Sequence, residues 1–499
     1  MIRRIMLSAI LVAVIVTITF TVHAQDSFTR AKRAASQNVH RYGDVPLGAV
    51  IRTDDRYGHD GLILGPRGWD YWNLLQNPKD YQNPNLWPDK RPTYFLGQLE
   101  MPPGTNLTIR GRFPYARYFK IALYEFERNT FVALGGEDMA GYDIEPDPGS
   151  ANPFPVGADR TVKNRNYTFH VVADDAPKNR ADRAKNTVYA GKEQKEIQIV
   201  FRVYLSDEGY DGCGWGPGNG PSHEGPPFTY EAKLADGTRL PAQEVVKRFG
   251  RPLGSAPPPF KTDEWYALIN SKKNDPALDP ASAPARKDSP WGLFWGMKYT
   301  VAGAFMPPEE QAKIKIASEM EGGGDPTTAY MVTYLSRKFG PVYVFRAKMP
   351  TFPDTFGGTK IMADGQVKYW SVCTMASAPS GELWDGVTDM MLPLDDQRYY
   401  TIVVSRPEDR PKNATKENGV AWINWGPGEG LSDPRNRTDW GMLLMRFMVC
   451  REDWENSPSK VHKPGMEETV MGPYYPKGYY TTKEAFETEG VKKLLSEAK

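Results

Sequence analysis

Short apolar segments dominate the pattern of hydrophobic and polar positions along the chain. Between about residues 95 and 455, runs of five to eight residues rich in β-branched and aromatic side chains are bounded by Gly, Pro or Asp. Short runs of this composition, at turn-like spacing, predict the strands of a β-sandwich or barrel.

Four of these segments recur in the same order in the second half of the chain. The matched segments are Leu107–Pro114 with Tyr343–Pro350, Arg117–Leu123 with Lys368–Thr374, Tyr167–Val171 with Tyr400–Val404, and Ile199–Leu205 with Leu443–Val449. The copies differ in their connections, where insertions are tolerated: the first inserts 145–160 and the second 351–366. An ordered repeat predicts two copies of one structural unit. The predicted fold class is mainly β, with two tandem antiparallel jelly-roll-like sandwiches and helical connections.

The remaining regions are less regular. The predicted organisation is a signal peptide at 1–24, an aromatic-rich N-terminal cap at 25–94, a first β-sandwich at 95–230, a Pro-rich linker with short helices at 231–334, a second β-sandwich at 335–455, and a C-terminal tail with a helix at 456–499. Helices are predicted at Leu240–Phe249, Asp263–Lys273, Pro308–Glu321 and Thr482–Lys493.

Composition supports a folded protein with many turns. The 499 residues include 46 Gly and 43 Pro. Together these make up a larger fraction of the chain than the roughly 12% that is average for Gly plus Pro. Aromatic residues make up 12% of the chain, enough to build a sizeable core. The 62 Lys and Arg residues balance 61 Asp and Glu residues. Because no basic excess is present, we expect no nucleic-acid partner.

The N-terminus is typical of a secretory signal. Arg3 and Arg4 precede an apolar run, Ile5–Val22, and Ala24 supplies the small residue before a cleavage site at Ala24/Gln25. The alternative is an uncleaved anchor, since the run approaches the length of a membrane span. We expect cleavage, no membrane span in the mature chain, and a periplasmic or secreted location.

Cysteine and histidine spacing does not predict a zinc site. The chain has three cysteines, Cys213, Cys373 and Cys450, with no CxxC pair. An exported chain with three cysteines allows one disulfide and one free thiol. We predict a Cys373–Cys450 disulfide, because both residues fall in strands of the second sandwich.

Two acidic loops could hold calcium. One is Asp207–Gly212, and the other carries Glu145, Asp147 and Asp159. The first loop lacks the terminal bidentate Glu of an EF-hand, so a solvated turn is the favoured alternative, and calcium is no better supported in the second. No metal site is predicted from the remaining residues.

Four arginines are the sharpest candidates for a ligand site. Arg110 and Arg346 occupy equivalent places in the two copies, as do Arg202 and Arg446, and each lies among apolar strand residues. A buried guanidinium needs a partner. That partner is either a carboxylate of the protein, such as Asp147 or Asp395, or a carboxylate or sulfate of a ligand.

Aromatic residues form a second set of candidates. Trp422 and Trp425 in the WINWGPG segment, and Trp370 near Cys373, could stack on a sugar ring. The alternative is packing in the core, where Trp is highly buried on average.

The strings RFPYARYF, IEPDPGSANPF, NTVYAG, FRVYLSDEGYD, KYWSVC and YYTIVVSRPEDRP resemble a group of exported bacterial proteins of unknown function. They are distantly similar to the β-sandwich domains of unknown function numbered 1214 and 1254. The resemblance implies a β-rich fold and export, and it brings no reaction, cofactor or catalytic residue.

No GxSxG, GxxxxGK[ST], HExxH or GxGxxG motif occurs in the chain. The sequence therefore leaves three functions open, and it does not indicate an oligomeric state. The first is an exported protein that binds a small polar or saccharide ligand in a cleft. The second is an exported hydrolase or lyase acting on a polysaccharide-type polymer through cleft carboxylates. The third is a structural envelope protein.

Overall fold

A computed structural model describes residues 50–52, 61–64, 69–72, 89, 91–127, 130–193, 196–208, 210, 228–250, 288–296, 299–300, 311–316, 325–375, 383–426 and 440–490. The fold is mainly β, as the sequence pattern predicts. The described strands form four sheets, two in each half of the chain.

The strands of the first half are β1 (Val50–Arg52), β2 (Gly61–Leu64), β3 (Trp69–Trp72), β4 (Thr93–Glu100), β5 (Asn106–Arg112), β6 (Ala116–Glu127), β7 (Thr130–Ala140), β8 (Asn166–Val172), β9 (Thr187–Tyr189), β10 (Glu196–Ser206), β11 (Phe228–Lys233) and β12 (Arg239–Pro241). One sheet has the order β1-β2-β3-β4-β10-β6-β7, and the other has the order β12-β11-β5-β8-β9.

The strands of the second half are β13 (Gly292–Leu293), β14 (Thr328–Ser336), β15 (Val342–Lys348), β16 (Tyr369–Met375), β17 (Leu383–Thr388), β18 (Tyr399–Ser405), β19 (Ala421–Asn424), β20 (Trp440–Met448) and β21 (Lys477–Thr481). Their sheets have the orders β13-β14-β20-β16-β17 and β19-β18-β15-β21.

The two halves share one topology. The order β4-β10-β6-β7 corresponds to β14-β20-β16-β17, and β11-β5-β8-β9 corresponds to β21-β15-β18-β19. Even the pairing of β8 with β9 is parallel, as is that of β18 with β19. The repeat predicted from the sequence is therefore present in the fold.

Each half encloses its own apolar core between its two sheets. Alternate residues of β5, such as Leu107 and Ile109, point into the first core, as the two-residue period of a strand requires. In the second half, Phe345 of β15 and Met445 of β20 occupy the corresponding core.

The α-helices that lie wholly within the described residues are short. They are α1 (Ala242–Phe249), α2 (Glu467–Met471) and α3 (Lys483–Glu489). The α1 helix lies inside the helix predicted at Leu240–Phe249. The α3 helix begins after Thr482, whose hydroxyl accepts from the Ala485 N–H as an N-cap. The signal peptide predicted at 1–24 and the helix predicted at 263–273 lie outside the described residues, as does most of the helix predicted at 308–321.

The structure moves several predicted boundaries. The first half extends through β12 and α1, and the second begins at β13 and β14, so both ends of the predicted linker belong to sandwiches. The predicted cap contributes β1, β2 and β3 to a sheet. The predicted tail contributes β21, which pairs with β15. These strands escaped sequence analysis because most are short and lie among Pro, Gly and Asn.

The two insertions that distinguish the copies meet each other. The Gly157 N–H donates to the Met362 carbonyl at 2.8 Å, and the Met362 N–H donates to the Ala158 carbonyl at 2.9 Å. Met362, from the second half, is buried in the core of the first half. The insertions therefore form a clasp between the halves.

A second contact between the halves is formed by the sheets that contain β10 and β20. Tyr118 and Tyr204 of the first half pack with Tyr369 and Met448 of the second. The Tyr204 and Tyr369 rings lie 5.3 Å apart. These two sheets are therefore covered on both faces, by a core on one side and by the other half on the other.

The backbone is left-handed at one equivalent position in each half. Leu205 has φ 54° and Val449 has φ 51°, both at the ends of the matched strands β10 and β20. A side chain at positive φ is strained, and a β-branched one more so. Both residues pack at the contact between the halves, which holds this conformation in place.

Within the described residues, no helix is long and apolar enough to cross a membrane. The apolar segment at 442–450 falls largely in β20.

Candidate functional site

Arg202 lies in the middle of β10, on the face that meets the other half. Its neighbours Phe201 and Val203 point into the core, so the guanidinium points away from it. The Arg202 Nη2 donates to the Tyr124 hydroxyl at 2.5 Å. Its Nη1 lies 3.4 Å from Oδ2 of Asp325, a residue just ahead of β14 in the second half.

Asp325 is a fully buried carboxylate that forms ion pairs with two cations. The Lys120 Nζ donates to its Oδ1 at 2.8 Å, and Arg202 approaches the other oxygen. Burial alone would raise the pKa of Asp325, but the charges of Lys120 and Arg202 hold it well below its ordinary value. Asp325 is therefore ionised wherever the protein is folded near neutral pH.

Arg446 repeats this arrangement in the second half. The Arg446 Nη1 lies 3.6 Å from Oδ2 of Asp89, a residue of the first half. The Ser371 hydroxyl donates to that carboxylate at 2.5 Å, and the Tyr369 hydroxyl at 3.1 Å. Cys373 contributes its thiol, 3.6 Å from Asp89 Oδ1.

The two aspartates occupy equivalent places. Asp89 stands five residues before Tyr94, which lies opposite Arg202 in the sheet, and Asp325 stands five residues before Tyr330, which lies opposite Arg446. Each aspartate pairs with the arginine of the other half. We call these contacts the crossed ion pairs, Asp89–Arg446 and Asp325–Arg202.

The crossed ion pairs decide the role of two predicted ligand residues. Arg202 and Arg446 are buried and bind carboxylates of the protein, so they hold the halves together. Neither Asp147 nor Asp395, the partners suggested from sequence, is involved. The partners come from the opposite half because these strands face it.

Another buried ion pair, besides the crossed ion pairs and Lys120–Asp325, joins the halves. The Arg117 Nη1 donates to Asp389 Oδ2 at 2.6 Å, and both side chains are fully buried. Asp389 also accepts from the Trp370 N–H at 2.9 Å. Burial raises the pKa of Asp389, and Arg117 opposes that rise.

Two of the three predicted aromatic ligand residues are core residues. Trp370 and Trp425 are buried in the second core, so the prediction that they stack on a sugar is wrong for both. Trp422 is half-buried on the outer face of β19. Its Nε1 donates to the Ser405 hydroxyl at 2.9 Å, and Arg410 lies 4.5 Å from its ring centroid.

The predicted Cys373–Cys450 disulfide is absent, because both residues are free thiols. Cys373 faces the other half of the molecule, beside Asp89, whereas Cys450 packs against the core of the second sandwich. The two thiols therefore lie on opposite sides of one sheet. Cys213 lies outside the described residues.

Three acidic residues of the loops proposed for calcium have partners within the protein. Asp207 forms an ion pair with Arg160, Glu145 forms one with Lys185, and Asp159 accepts from the Thr161 N–H. Residues 209, 211 and 212 of the first loop lie outside the described residues. Among the described residues, no group of three or more His, Cys, Asp or Glu side chains is arranged to hold a metal ion.

Arg110 and Arg346 lie on the outer faces of their sandwiches, and their surroundings differ. Arg346 donates to Thr401 at 3.0 Å and pairs with Asp395, as sequence analysis suggested, and its side chain is only 14% exposed. Arg110 pairs with Glu231 at 2.9 Å and is 52% exposed. Of the four predicted arginines, Arg110 is the most accessible.

The outer faces around these two arginines differ even more. In the second half, Val344 and Val403 lie opposite each other and are buried under Phe486 of α3. In the first half, the same positions hold Thr108 and His170, which are only partly buried. We call the first of these surfaces the covered face and the second the polar face.

The polar face carries hydrogen-bonding groups in adjacent rows. The His170 Nδ1 lies 3.3 Å from the Thr108 hydroxyl and 3.2 Å from Asn106 Oδ1. Burial and the nearby charge of Arg110 lower the pKa of His170, so its ring is neutral at pH 7. A neutral imidazole offers one donor and one acceptor.

Sequence reasoning found Arg110 but missed Asp89, Asp325 and His170. A signal for the aspartates was present, because both copies contain Asp followed five residues later by Tyr. It lay outside the four matched segments. His170 lies in a matched strand, but its counterpart in the second copy, Val403, is apolar. Comparison of the two copies therefore gave His170 no role.

No protein-family model matches the chain, so its resemblance to the domains of unknown function numbered 1214 and 1254 remains a prediction. No curated protein matches it either. Among solved structures, the chain is similar to a putative uncharacterized protein from Burkholderia cenocepacia, with 11% identity, a TM-score of 0.42, and coverage of 84% of this chain and 83% of that one. It is also similar to the VPA0106 protein from Vibrio parahaemolyticus, with 11% identity, a TM-score of 0.34, and coverage of 91% and 97%. Neither likeness supplies a function.

Proposed function

We propose that this chain is an exported protein that binds a small polar or saccharide ligand, and that the ligand lies on the polar face of the first sandwich. The observation that carries the proposal is the contrast between two faces built on the same strands. Val344 and Val403 lie under α3 in one copy, whereas Thr108 and His170 replace them in the other.

The polar face has the chemistry that a hydroxylated ligand requires. Thr108, Thr168 and Asn106 offer hydroxyl and amide groups, and the neutral ring of His170 can donate and accept. Their positions on β5 and β8 place these groups on a rigid sheet. A rigid platform lowers the conformational entropy that a ligand must overcome on binding.

The hydrolase or lyase alternative needs two accessible carboxylates on either side of the scissile bond. The buried carboxylates at the contact between the halves, Asp89, Asp325 and Asp389, are each engaged by a cation and closed to solvent. They are therefore unsuited to acid–base catalysis, and the binding function is the better supported of the two.

The test blocks the polar face with one large side chain. Thr229 of β11 lies opposite Arg110, and Lys477 of β21 lies opposite Arg346, so the two are equivalent and both are exposed. The chain from Gln25 onward, with either Thr229→Trp or Lys477→Trp, is applied to a printed array of defined oligosaccharides.

We expect the unmodified chain and the Lys477→Trp variant to bind the same oligosaccharides, and the Thr229→Trp variant to lose them. Equal binding by all three proteins, or binding by none, would contradict the proposal. Thermal melts of the two variants check that each remains folded.

A further inference from the structure

We infer that the ligand of the polar face is an acidic saccharide, and that Arg110 and Arg239 bind its carboxylate where Glu231 now stands. This inference rests on the proposed function and adds the class of ligand.

Two guanidinium groups already converge on a single carboxylate oxygen. The Arg110 Nη2 lies 2.9 Å from Glu231 Oε1, and the Arg239 Nη1 lies 3.3 Å from the same atom. The three residues come from three neighbouring strands, β5, β11 and β12. Glu231 therefore marks a position where a carboxylate is stabilised by two cations.

The contact with Glu231 is one that a ligand can replace. All three side chains are partly or largely exposed, and exposed ion pairs contribute little to stability. Glu231 has a long side chain on a strand, so its carboxylate can rotate into solvent. A sugar carboxylate would then form charge-assisted hydrogen bonds to both arginines.

Arg346, the equivalent arginine of the second half, belongs to an ion pair whose carboxylate is held in place, which we call a closed pair. Asp395, the partner of Arg346, also accepts from the backbone N–H groups of Tyr399, at 2.8 Å, and Gln397, at 3.0 Å. Its carboxylate is thus fixed by the backbone, whereas the Glu231 carboxylate pairs with the side chains of two exposed arginines. The open pair lies on the polar face and the closed pair lies beside the covered face.

The charge of the polar face favours an anion. The outward positions of β5, β8, β11 and β12 hold four cations and one acid, which are Arg110, Arg112, Lys233, Arg239 and Glu231. The chain as a whole is nearly neutral, so this excess is local. A local positive potential raises the rate at which an acidic ligand associates.

The polar pair next to Arg110 on this face favours a sugar over a simple anion as the ligand. Thr108 and His170 lie opposite each other on the same face as Arg110. A uronic acid carries its carboxylate next to ring hydroxyls, so one sugar residue can contact both arginines and this row.

Isothermal titration with two trimers tests the inference. The acidic probe is the trimer of galacturonic acid, and the neutral probe is the trimer of galactose. We expect the unmodified chain to bind the acidic trimer at least about ten-fold more tightly, which corresponds to about 1.4 kcal/mol. Raising the salt concentration should reduce that preference.

Three variants identify the residues responsible. Arg110→Gln and Arg239→Gln should each remove most of the preference for the acidic trimer, and Glu231→Gln should increase affinity for it several-fold, because the internal competitor is lost. Arg346→Gln is the matched control from the second half and should leave the preference unchanged.

Equal affinity for the two trimers would overturn the inference and leave the proposed function standing. The inference would also be overturned if the unmodified chain bound neither trimer. If the unmodified chain also bound no oligosaccharide on the array, the proposed function would be overturned as well. A preference that survives both Arg110→Gln and Arg239→Gln would show that the carboxylate binds elsewhere.

Discussion

Asp89, which lies between β3 and β4 of the first half, pairs with Arg446 of the second half, and their Oδ2 and Nη1 atoms are 3.6 Å apart. Asp325, its equivalent, pairs with Arg202 of the first. Each half thus neutralises a buried cation of the other. Because a buried charge without a partner is costly, we expect the two halves to depend on each other for stability.

Removing either aspartate should destabilise the whole protein. We expect Asp89→Asn and Asp325→Asn each to lower the free energy of unfolding by about 3–5 kcal/mol, the range for breaking a buried pair from one side. Urea unfolding followed by Trp fluorescence measures the change. The control is Glu231→Gln, which breaks an exposed pair and should cost no more than about 1 kcal/mol. Full stability of both Asn variants would contradict the structural role.

Replacing a buried arginine should destabilise the protein more than replacing an exposed one. Arg202→Met and Arg446→Met each leave a buried aspartate short of a cation, so their melting temperatures should fall by several degrees. Arg110→Met affects a side chain that is 52% exposed and should melt close to the unmodified chain. If all three variants melted alike, the distinction between buried and exposed arginines would be wrong.

Asp325 predicts a loss of stability in acid. Its pKa in the folded protein lies below the ordinary value of 3.8, so protonation favours the unfolded chain. The stabilisation is complete above pH 3.8 and is lost as the pH falls through the pKa of the folded state. Stability curves from urea unfolding between pH 2 and 6 should therefore be flatter, in their acid part, for Asp325→Asn.

We expect the titration of Asp389 to change the free energy of unfolding with pH in the opposite direction. Its pKa in the folded protein is raised from 3.8, so its proton binds more tightly in the folded state. This contribution is present below pH 3.8 and is lost as the pH rises through the pKa of the folded state. The same unfolding series with Asp389→Asn should remove a decline of stability with rising pH. Parallel curves for the two Asn variants would contradict both assignments.

The thiols of Cys373 and Cys450 should both be free. In denaturant without reductant, alkylation followed by peptide mapping should find the label on both residues. In the native protein Cys373 should react far more slowly than it does in denaturant, because it is fully buried. A peptide that links the two cysteines would contradict the structure.

Export remains a prediction from the sequence. Protein recovered from the periplasm or medium should begin at Gln25 or within a few residues of it, as N-terminal sequencing can establish. Full-length chain recovered from the cytosol would contradict cleavage.

Sequence pattern predicted the strands better than it predicted what their faces contact. In β5 one face is buried and the other is exposed, so the alternation is legible. In β16 every residue is buried, because one face meets the core and the other meets the second half. A strand buried on both faces loses its two-residue period, and this is why Trp370 could not be assigned to a side.

The partners of the buried arginines were beyond local pattern. Arg202 and Asp325 lie far apart in the sequence, and Arg446 and Asp89 lie farther apart still. Only the packing of one half on the other brings them together. Asp395 was suggested from the sequence as one possible partner for the four arginines, and it pairs with Arg346, which lies in the same sandwich.

The crossed ion pairs also show how far the two halves resemble equal subunits. One half gives its aspartate to the other half's arginine and receives the same in return, which is the contact pattern of a two-fold homodimer. The outer faces break this two-fold relation, because Val344 is buried under Phe486 in one half and Thr108 is only partly buried at the equivalent place in the other. The single chain is therefore symmetric where its halves meet and asymmetric where it meets solvent.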